Sequence, residues 1–386
     1  MSTIREKALR LHEENQGKIA ITPKVKCENA DDLSLAYTPG VAEPCKEIFE
    51  DIDNAYRYTG KGNTVLIITD GTAVLGLGDI GPTAALPVME GKALLMKRFA
   101  DIDAIPVCLD TKDPKEIIQI CKALAPGIGG INLEDISAPR CVEIERTLIA
   151  ELNIPVFHDD QHGSSIVVLA TLINYLRLTN KEPGELKVVM NGTGAAGSSI
   201  IRLLYQYGFS NIIAFDKEGC LVQDEKDEYN FLKQEMLGYV NKDNNHYTSL
   251  AEALKGADIF IGASVGNVVN IEMVRSMNEK NIIIALANPT PEISYPDAKE
   301  GGAYIACTGR SDFPNQVNNL LVFPGIFRGA LDARVTKITE EMKLAVAKAL
   351  AYLITDAELQ VEYMIPSPFD DRVVPAVSKA IKEINQ

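Results

Sequence analysis

The chain has 386 residues, 46% of them hydrophobic and 24% charged, with a formal net charge of −15. That length suggests about two domains at roughly 150 residues each, with ordinary globular composition and ample material for cores. The acidic balance and the lack of a Lys/Arg block disfavour a nucleic-acid partner, and no apolar run reaches the roughly 18 residues of a membrane span.

Met1 to Ala20 is a charged amphipathic stretch without a signal-peptide apolar region, which makes the cytoplasm the expected compartment. Residues 3–15 read as an amphipathic helix. The seven cysteines form no CxxC pair and their number is odd, so they are expected to be reduced and mostly buried. From residue 64 onward strands and helices alternate. The predicted strands are 64–69, 103–109, 128–133, 154–157, 187–190, 211–215, 258–261 and 281–285. Predicted helices include 82–100, 114–125, 139–152 and 164–178, with two more at 338–355 and 371–384. Such alternation implies an α/β fold of parallel sheets covered by helices. A boundary is expected near Asp160, dividing residues 1–160 from 161–386. The charge-rich run Asp224 to Glu235 reads as a solvated helix face rather than a site.

The strand Lys187 to Met190 leads into Asn191-Gly-Thr-Gly-Ala-Ala-Gly197 and then into the helical stretch Ser198 to Leu204. A bare GxGxxG is a weak signal, but here it has a strand before it and a helix after it. Gly192 permits the tight turn, Gly194 lets the backbone approach a pyrophosphate, and Gly197 allows close helix–strand packing. Thr193, Ala195 and Ala196 complete the phosphate-binding turn. The next strand ends in Asp216, nineteen residues after Gly197, where a carboxylate accepts hydrogen bonds from the adenine ribose. That favours NAD; Lys217 beside it leaves NADP open. Residues 161–386 are therefore expected to form a Rossmann-type NAD(P)-binding domain with C-terminal helices. The bland alternative, an ordinary β–α turn, satisfies fewer of these conditions.

Two strands of the first region end in acids: one runs into Glu134 and Asp135, the other through His158 into Asp159 and Asp160. If they are parallel neighbours, four carboxylates converge at the carboxyl edge of the sheet and repel unless a cation or a lysine balances them. An oxygen-only set suits Mg²⁺ or Mn²⁺. His158 and His162 keep a histidine-ligated transition metal as a rival, or else orient their neighbours. Residues 1–160 are thus expected to form an α/β substrate and metal domain. Lys92 lies in an otherwise apolar helix. It either snorkels to the surface or, desolvated, acts as a base once its pKa falls from about 10.4 toward 7–8. Tyr37 precedes a proline turn, where packing is the common role.

Taken in order, Ala36 to Ala42, Thr69 to Gly81, Glu90-Gly-Lys92, Asn132 to Ile136, Phe157 to Gly163, the glycine turn, Ala287 to Thr290 and Thr308 to Asn319 resemble malic enzyme in its short prokaryotic form. The resemblance covers nearly the whole chain. It implies oxidative decarboxylation of L-malate to pyruvate and CO₂, with NAD(P) reduced and Mg²⁺ or Mn²⁺ required. By the family pattern Lys92 takes the malate hydroxyl proton, Asp159 tunes it, and Glu134, Asp135 and Asp160 hold the metal. Tyr37 protonates the enol carbon. Asn288 and Asn319 contact the substrate or the nicotinamide side of the site.

Larger members carry an arginine before the Leu-Gly-Leu-Gly stretch that grips the malate carboxylate. Here Gly71 to Leu75 holds none, and backbone amides around Gly76 to Gly81 are expected to replace it. Ser164 stands where threonine is usual. A rival activity is a metal-dependent oxaloacetate decarboxylase without net redox; a non-catalytic nucleotide-binding regulator is a further one. The resemblance also implies a homodimer, with residues 3–15 as a candidate exchange element.

Overall fold

Two all-parallel sheets organise the chain, and the computed structural model describes residues 3–74 and 76–385 of it. The first sheet has strand order β2-β1-β3-β4, with β1 at Thr64–Thr69, β2 at Asp103–Cys108, β3 at Gly130–Leu133 and β4 at Val156–His158. The second has order β6-β5-β7-β8-β9, with β5 at Lys187–Asn191, β6 at Asn211–Phe215, β7 at Ile259–Gly262, β8 at Ile282–Ala285 and β9 at Ile305–Thr308. Except for the edge strand β2, in which no residue is fully buried, these strands are largely apolar because both of their faces are covered, as parallel sheets require. The α/β expectation holds. Of the nine strands β9 was not foreseen, since Ile305–Thr308 is only four residues long and has no clear period.

The longer helices are α1 (Ile4–Asn15), α2 (Ala30–Ala36), α3 (Ala42–Glu50), α4 (Pro82–Ala100), α5 (Pro114–Leu124), α6 (Arg140–Glu151), α7 (Asp159–Thr179), α8 (Ala195–Tyr207), α9 (Phe323–Asp332), α10 (Glu340–Ala351) and α11 (Val373–Ile384). Helix α7 joins the two sheets and is buried on nearly every face, which explains its almost unbroken apolar sequence from Ile166 to Ile173. It starts five residues earlier than its apolar pattern suggests. Asp159 and Asp160 therefore fall in its first turn, where the helix dipole favours carboxylates.

The chain's last helices return to the first sheet. Phe327 of α9 meets Phe157 edge-on at 6.0 Å, and Arg328 donates to Asn63 Oδ1 at 2.7 Å. Gly130 in β3 makes room, since a Cβ there would stand 3.3 Å from the Phe327 ring. The N-terminal arm behaves differently. Helices α1, α2 and α3 bury no residue, and Ile21 is 100% and Phe49 92% exposed. Lys18 Nζ donates to the Pro87 carbonyl at 2.6 Å and Lys24 to Asp103 at 2.8 Å, tying the arm to α4 and β2. Among the described residues no helix is long and apolar enough to cross a membrane.

Candidate active site

The pairing of Leu133 with His158 places β3 and β4 side by side with their carboxyl ends on one edge. The residues just beyond, Glu134–Asp135 and Asp159–Asp160, consequently converge. Asp135 takes a left-handed φ of 53°, and its N–H donates to Asp160 Oδ2 at 2.8 Å. One oxygen from each of Glu134, Asp135 and Asp160 lies within 4.8 Å of the others. Helix α4 delivers Lys92 to the same point. Its ammonium donates to Asp159 at 2.5 Å, lies 2.8 Å from Glu134 Oε1 and sits 4.2 Å over the Phe323 ring. It is 8% exposed, so it does not snorkel.

A cavity of 740 Å³ opens beside this cluster, with Asp135 and Asp160 on one wall and Gly194, Ala195, Ala196 and Asn288 on the other. A second, of 580 Å³, continues past Gly192 and Thr193 to Asp216 and Lys217. Gly192 has a φ of +108°, and a Cβ on Gly197 would stand 1.9 Å from the Gly192 carbonyl oxygen. Nothing lies within 4 Å of the Cβ position at Gly194, so the backbone is open to a ligand there. Gly194 also caps α8, whose free N–H groups suit a phosphate. Gly163 packs between Asp159 and Asn319, a Cβ there meeting Asn319 Cβ at 2.9 Å, which brings Asn319 to the carboxylate cluster.

The malic enzyme N-terminal domain model matches residues 16–149, and the malic enzyme NAD binding domain model matches 161–299 and 302–381. The chain is 55% identical to the bifunctional malic/malolactic enzyme of Bacillus subtilis, over 98% of this chain and 92% of that protein. It is 54% identical to the NAD-dependent malic enzyme of Geobacillus stearothermophilus, over 95% and 76%. The crystal structure of the NAD-dependent malic enzyme of Thermotoga maritima superposes with a TM-score of 0.93 at 48% identity, over 97% of this chain and 98% of that one. The chain belongs to the malic enzyme family.

The electrostatics fit the divalent cation that a malic enzyme implies. Carboxylates 4.8 Å apart repel by roughly 3 kcal/mol per pair at an effective dielectric of about 20, and one lysine cannot offset the set. Burial, then the neighbouring Asp160 and Glu134, push the Asp135 carboxyl up to about 9. Burial likewise raises Asp159 to about 8, and Glu134 and Asp160 are raised for the same reason. Asp135 Oδ2 and Asp159 Oδ1 are buried without a hydrogen-bond partner. Such an oxygen set answers to a hard cation. His158 stands 3.8 Å from Asp160 and outside the oxygen trio, so the geometry favours Mg²⁺ or Mn²⁺ over a histidine-ligated metal.

Three expectations need correction. Burial acts to lower the Lys92 pKa, but Asp159, Glu134 and Asp160 outweigh it and the pKa is raised. The amides of Leu77 and Gly78 both donate to Val74 O, and those of Ile80 and Gly81 to Gly71 O. These four are spent inside their own loop, which leaves the expected carboxylate contact to the amides of Gly76 and Asp79. The run 224–235 is not one solvated helix but a 3₁₀ turn at Gln223–Glu228 followed by Phe231–Met236. Its Lys233 turns inward, lines the second cavity and pairs with Asp216. Sequence reading missed that lysine because a charged run carries no sign of which member faces inward. Tyr37 is not brought to the site: it caps α2 at 65% exposure and lines neither cavity.

Proposed function

We infer that the chain catalyses oxidative decarboxylation of L-malate to pyruvate and CO₂, reducing NAD or NADP and requiring Mg²⁺ or Mn²⁺. The observation that carries this reading is the cavity between Asp135 and Asp160 on one side and the glycine turn on the other. It joins a hard-cation site to a dinucleotide site, and malate oxidation needs both. An oxaloacetate decarboxylase would have no use for the open backbone at Gly194 or for Asp216 at the end of β6.

Glu134, Asp135 and Asp160 hold the cation, and the turn Gly192 to Gly197 with Asp216 and Asn288 holds the dinucleotide. When bound, the cation supplies Lewis-acid stabilisation of charge on the substrate's oxygens, and the nicotinamide supplies a hydride acceptor. Lys92 accepts the malate hydroxyl proton. Its carboxylate neighbours keep it protonated in their unneutralised state; once Glu134 and Asp160 hold a cation, their part of that pull is removed and burial acts further toward the neutral base. Asp159 holds the Lys92 Nζ in place. Asn288 and Asn319 orient the substrate. Tyr37 delivers a proton to the enol carbon of pyruvate.

Tyr37 reaches that carbon from a second copy. The unburied apolar arm, half-exposed Ile105 on the edge strand β2 and half-exposed Leu94 on α4 favour a homodimer in which arms are exchanged. Residues 1–160 carry the substrate and metal side and residues 161–386 the dinucleotide side, and the enzyme works in the cytoplasm. Malate-dependent NADH or NADPH formation, with and without Mn²⁺, tests the activity. No signal with either dinucleotide defeats the oxidative reading, and CO₂ release from oxaloacetate alone would install the decarboxylase in its place.

A further inference from the structure

Behind the carboxylate cluster lies a buried polar network that the reaction does not use directly. Glu145, on α6, is 3% exposed. Its Oε1 accepts the backbone N–H of His158 at 2.8 Å, and its Oε2 accepts from Gln161 Nε2 at 3.2 Å and pairs with His162 Nε2 at 2.9 Å. These three partners bracket Asp159 and Asp160 in sequence. The carboxylate thus grips the turn from both sides of the two aspartates while touching neither.

Lys343, on α10, is 5% exposed, and its Nζ stands 3.0 Å from His162 Nδ1 and 3.4 Å from Nε2. It also donates to Glu340 Oε1 at 2.7 Å. The Glu145 carboxylate only accepts and the ammonium only donates, so the arrangement that satisfies both has Nδ1, the nitrogen nearer Lys343, as the acceptor. The ring proton then sits on Nε2, the nitrogen that faces Glu145. Lys343 and Glu145 thus favour the same tautomer, the one that donates to the carboxylate. Ser199 Oγ lies 3.2 Å from the same Nδ1 and 3.1 Å from Ser165 Oγ. Ser199 belongs to α8, the helix of the glycine turn, so the network joins the metal-bearing turn to the dinucleotide helix.

We propose that Glu145 is the positioning residue for the metal-binding turn, and that Lys343 helps set the His162 tautomer through which Glu145 grips it. Buried ions are weak contributors to stability, and well-packed apolar side chains serve a core as well or better. A carboxylate with three donors aimed at one five-residue turn instead fixes where Asp159 and Asp160 point. Groups that orient the residues bearing a metal's ligands typically alter its affinity without being ligands themselves. The proposal rests on Glu134, Asp135 and Asp160 being the ligands.

Mn²⁺ binding to the full-length protein, read from the free-ion electron paramagnetic resonance signal, tests it beside NADH binding read by fluorescence. Glu145→Gln keeps the side chain's size but turns an amide toward existing donors. It is expected to weaken Mn²⁺ binding roughly tenfold to hundredfold while NADH binding stays within about twofold. Lys343→Met should weaken Mn²⁺ binding in the same direction, and Lys343→Arg should restore most of it. Unchanged Mn²⁺ affinity in folded Glu145→Gln overturns the proposal, as does equal loss of Mn²⁺ and NADH binding. If Glu145→Gln does not fold, unchanged Mn²⁺ affinity in Lys343→Met overturns it instead. Glu134→Gln separates the two levels: normal Mn²⁺ binding there defeats the ligand assignment, whereas loss there with none in Glu145→Gln defeats the positioning role alone.

Discussion

Lys92 of α4 and Asp159, the first residue of α7, meet at 2.5 Å, with Glu134 also 2.8 Å from the ammonium. Both side chains are buried. The contact sets the reactive nitrogen at the edge of the sheet where the cavity opens. Lys92→Ala removes the base and leaves the dinucleotide pocket intact, since no Lys92 atom lines it. Malate oxidation is expected to fall by about 10²–10⁴-fold, with NADH binding retained. Near-normal turnover of a metal-loaded Lys92→Ala enzyme would exclude the lysine as base.

The exposed position of Tyr37 gives the dimer reading a sharp test. Tyr37→Phe is expected to slow pyruvate formation more than pyruvate reduction to lactate, because only the enol step uses its proton. If the tyrosine serves the neighbouring copy, Tyr37→Phe and Lys92→Ala subunits complement each other. Each hybrid dimer then has one site with both groups intact, and an equal random mixture should recover about one quarter of wild-type activity by two-fold symmetry. A mixture no more active than its parents would return the tyrosine to its own subunit.

Most of this site can be read from the sequence because parallel strands expose their chemistry at fixed points. Apolar strands ending at Leu133 and His158 announce where Glu134, Asp135, Asp159 and Asp160 must gather, and the glycine spacing announces the pyrophosphate. Contacts between distant segments leave no such trace. Lys343 reaches His162 across 181 residues, and nothing near Lys343 marks it as buried. The inward turn of Lys233 is hidden in the same way among charged neighbours. Glu292 is a third case: fully buried, it accepts from Ser264 N at 2.8 Å and Ala287 N at 3.0 Å, bracing two loops of the cavity wall.

Cofactor choice turns on Asp216 and Lys233. Asp216 accepts from the backbone N–H of Glu218 at 2.7 Å and pairs with Lys233, which also lies 2.8 Å from Glu218. A 2′-phosphate meets a carboxylate here, but also an ammonium that the carboxylate occupies. Asp216→Ala frees that ammonium. The ratio of kcat/KM for NADP to that for NAD is expected to rise by about tenfold, the equivalent of about 1.4 kcal/mol. Lys233→Ala should lower the ratio. An unchanged ratio in both variants would place discrimination elsewhere, with exposed Lys217 the next residue to test.

Metal removal should make the protein sensitive to alkali rather than acid in the neutral range. Asp135 is raised from 3.8 to about 9 and Asp159 from 3.8 to about 8, chiefly by burial. Between those limits the folded metal-free protein holds protons that the unfolded chain has released. Stability from these groups is therefore full below about pH 4 and is lost as pH rises toward 8 and 9. Lys92 does not reverse the slope, because its raised pKa changes the balance only above 10.5. Other groups oppose the trend at lower pH: Glu145, held down at about 2, at the acid end, and His158 and His162, lowered from 6.5 by burial, up to that value. Expected after chelation is a Tm that falls from pH 7 to pH 9. Mn²⁺ binds the deprotonated carboxylates, so the Tm gain on adding it should widen over the same range. Scanning fluorimetry with EDTA and with Mn²⁺ measures both. A gain that stays constant or shrinks with rising pH would show that these carboxylates are not the groups that receive the ion.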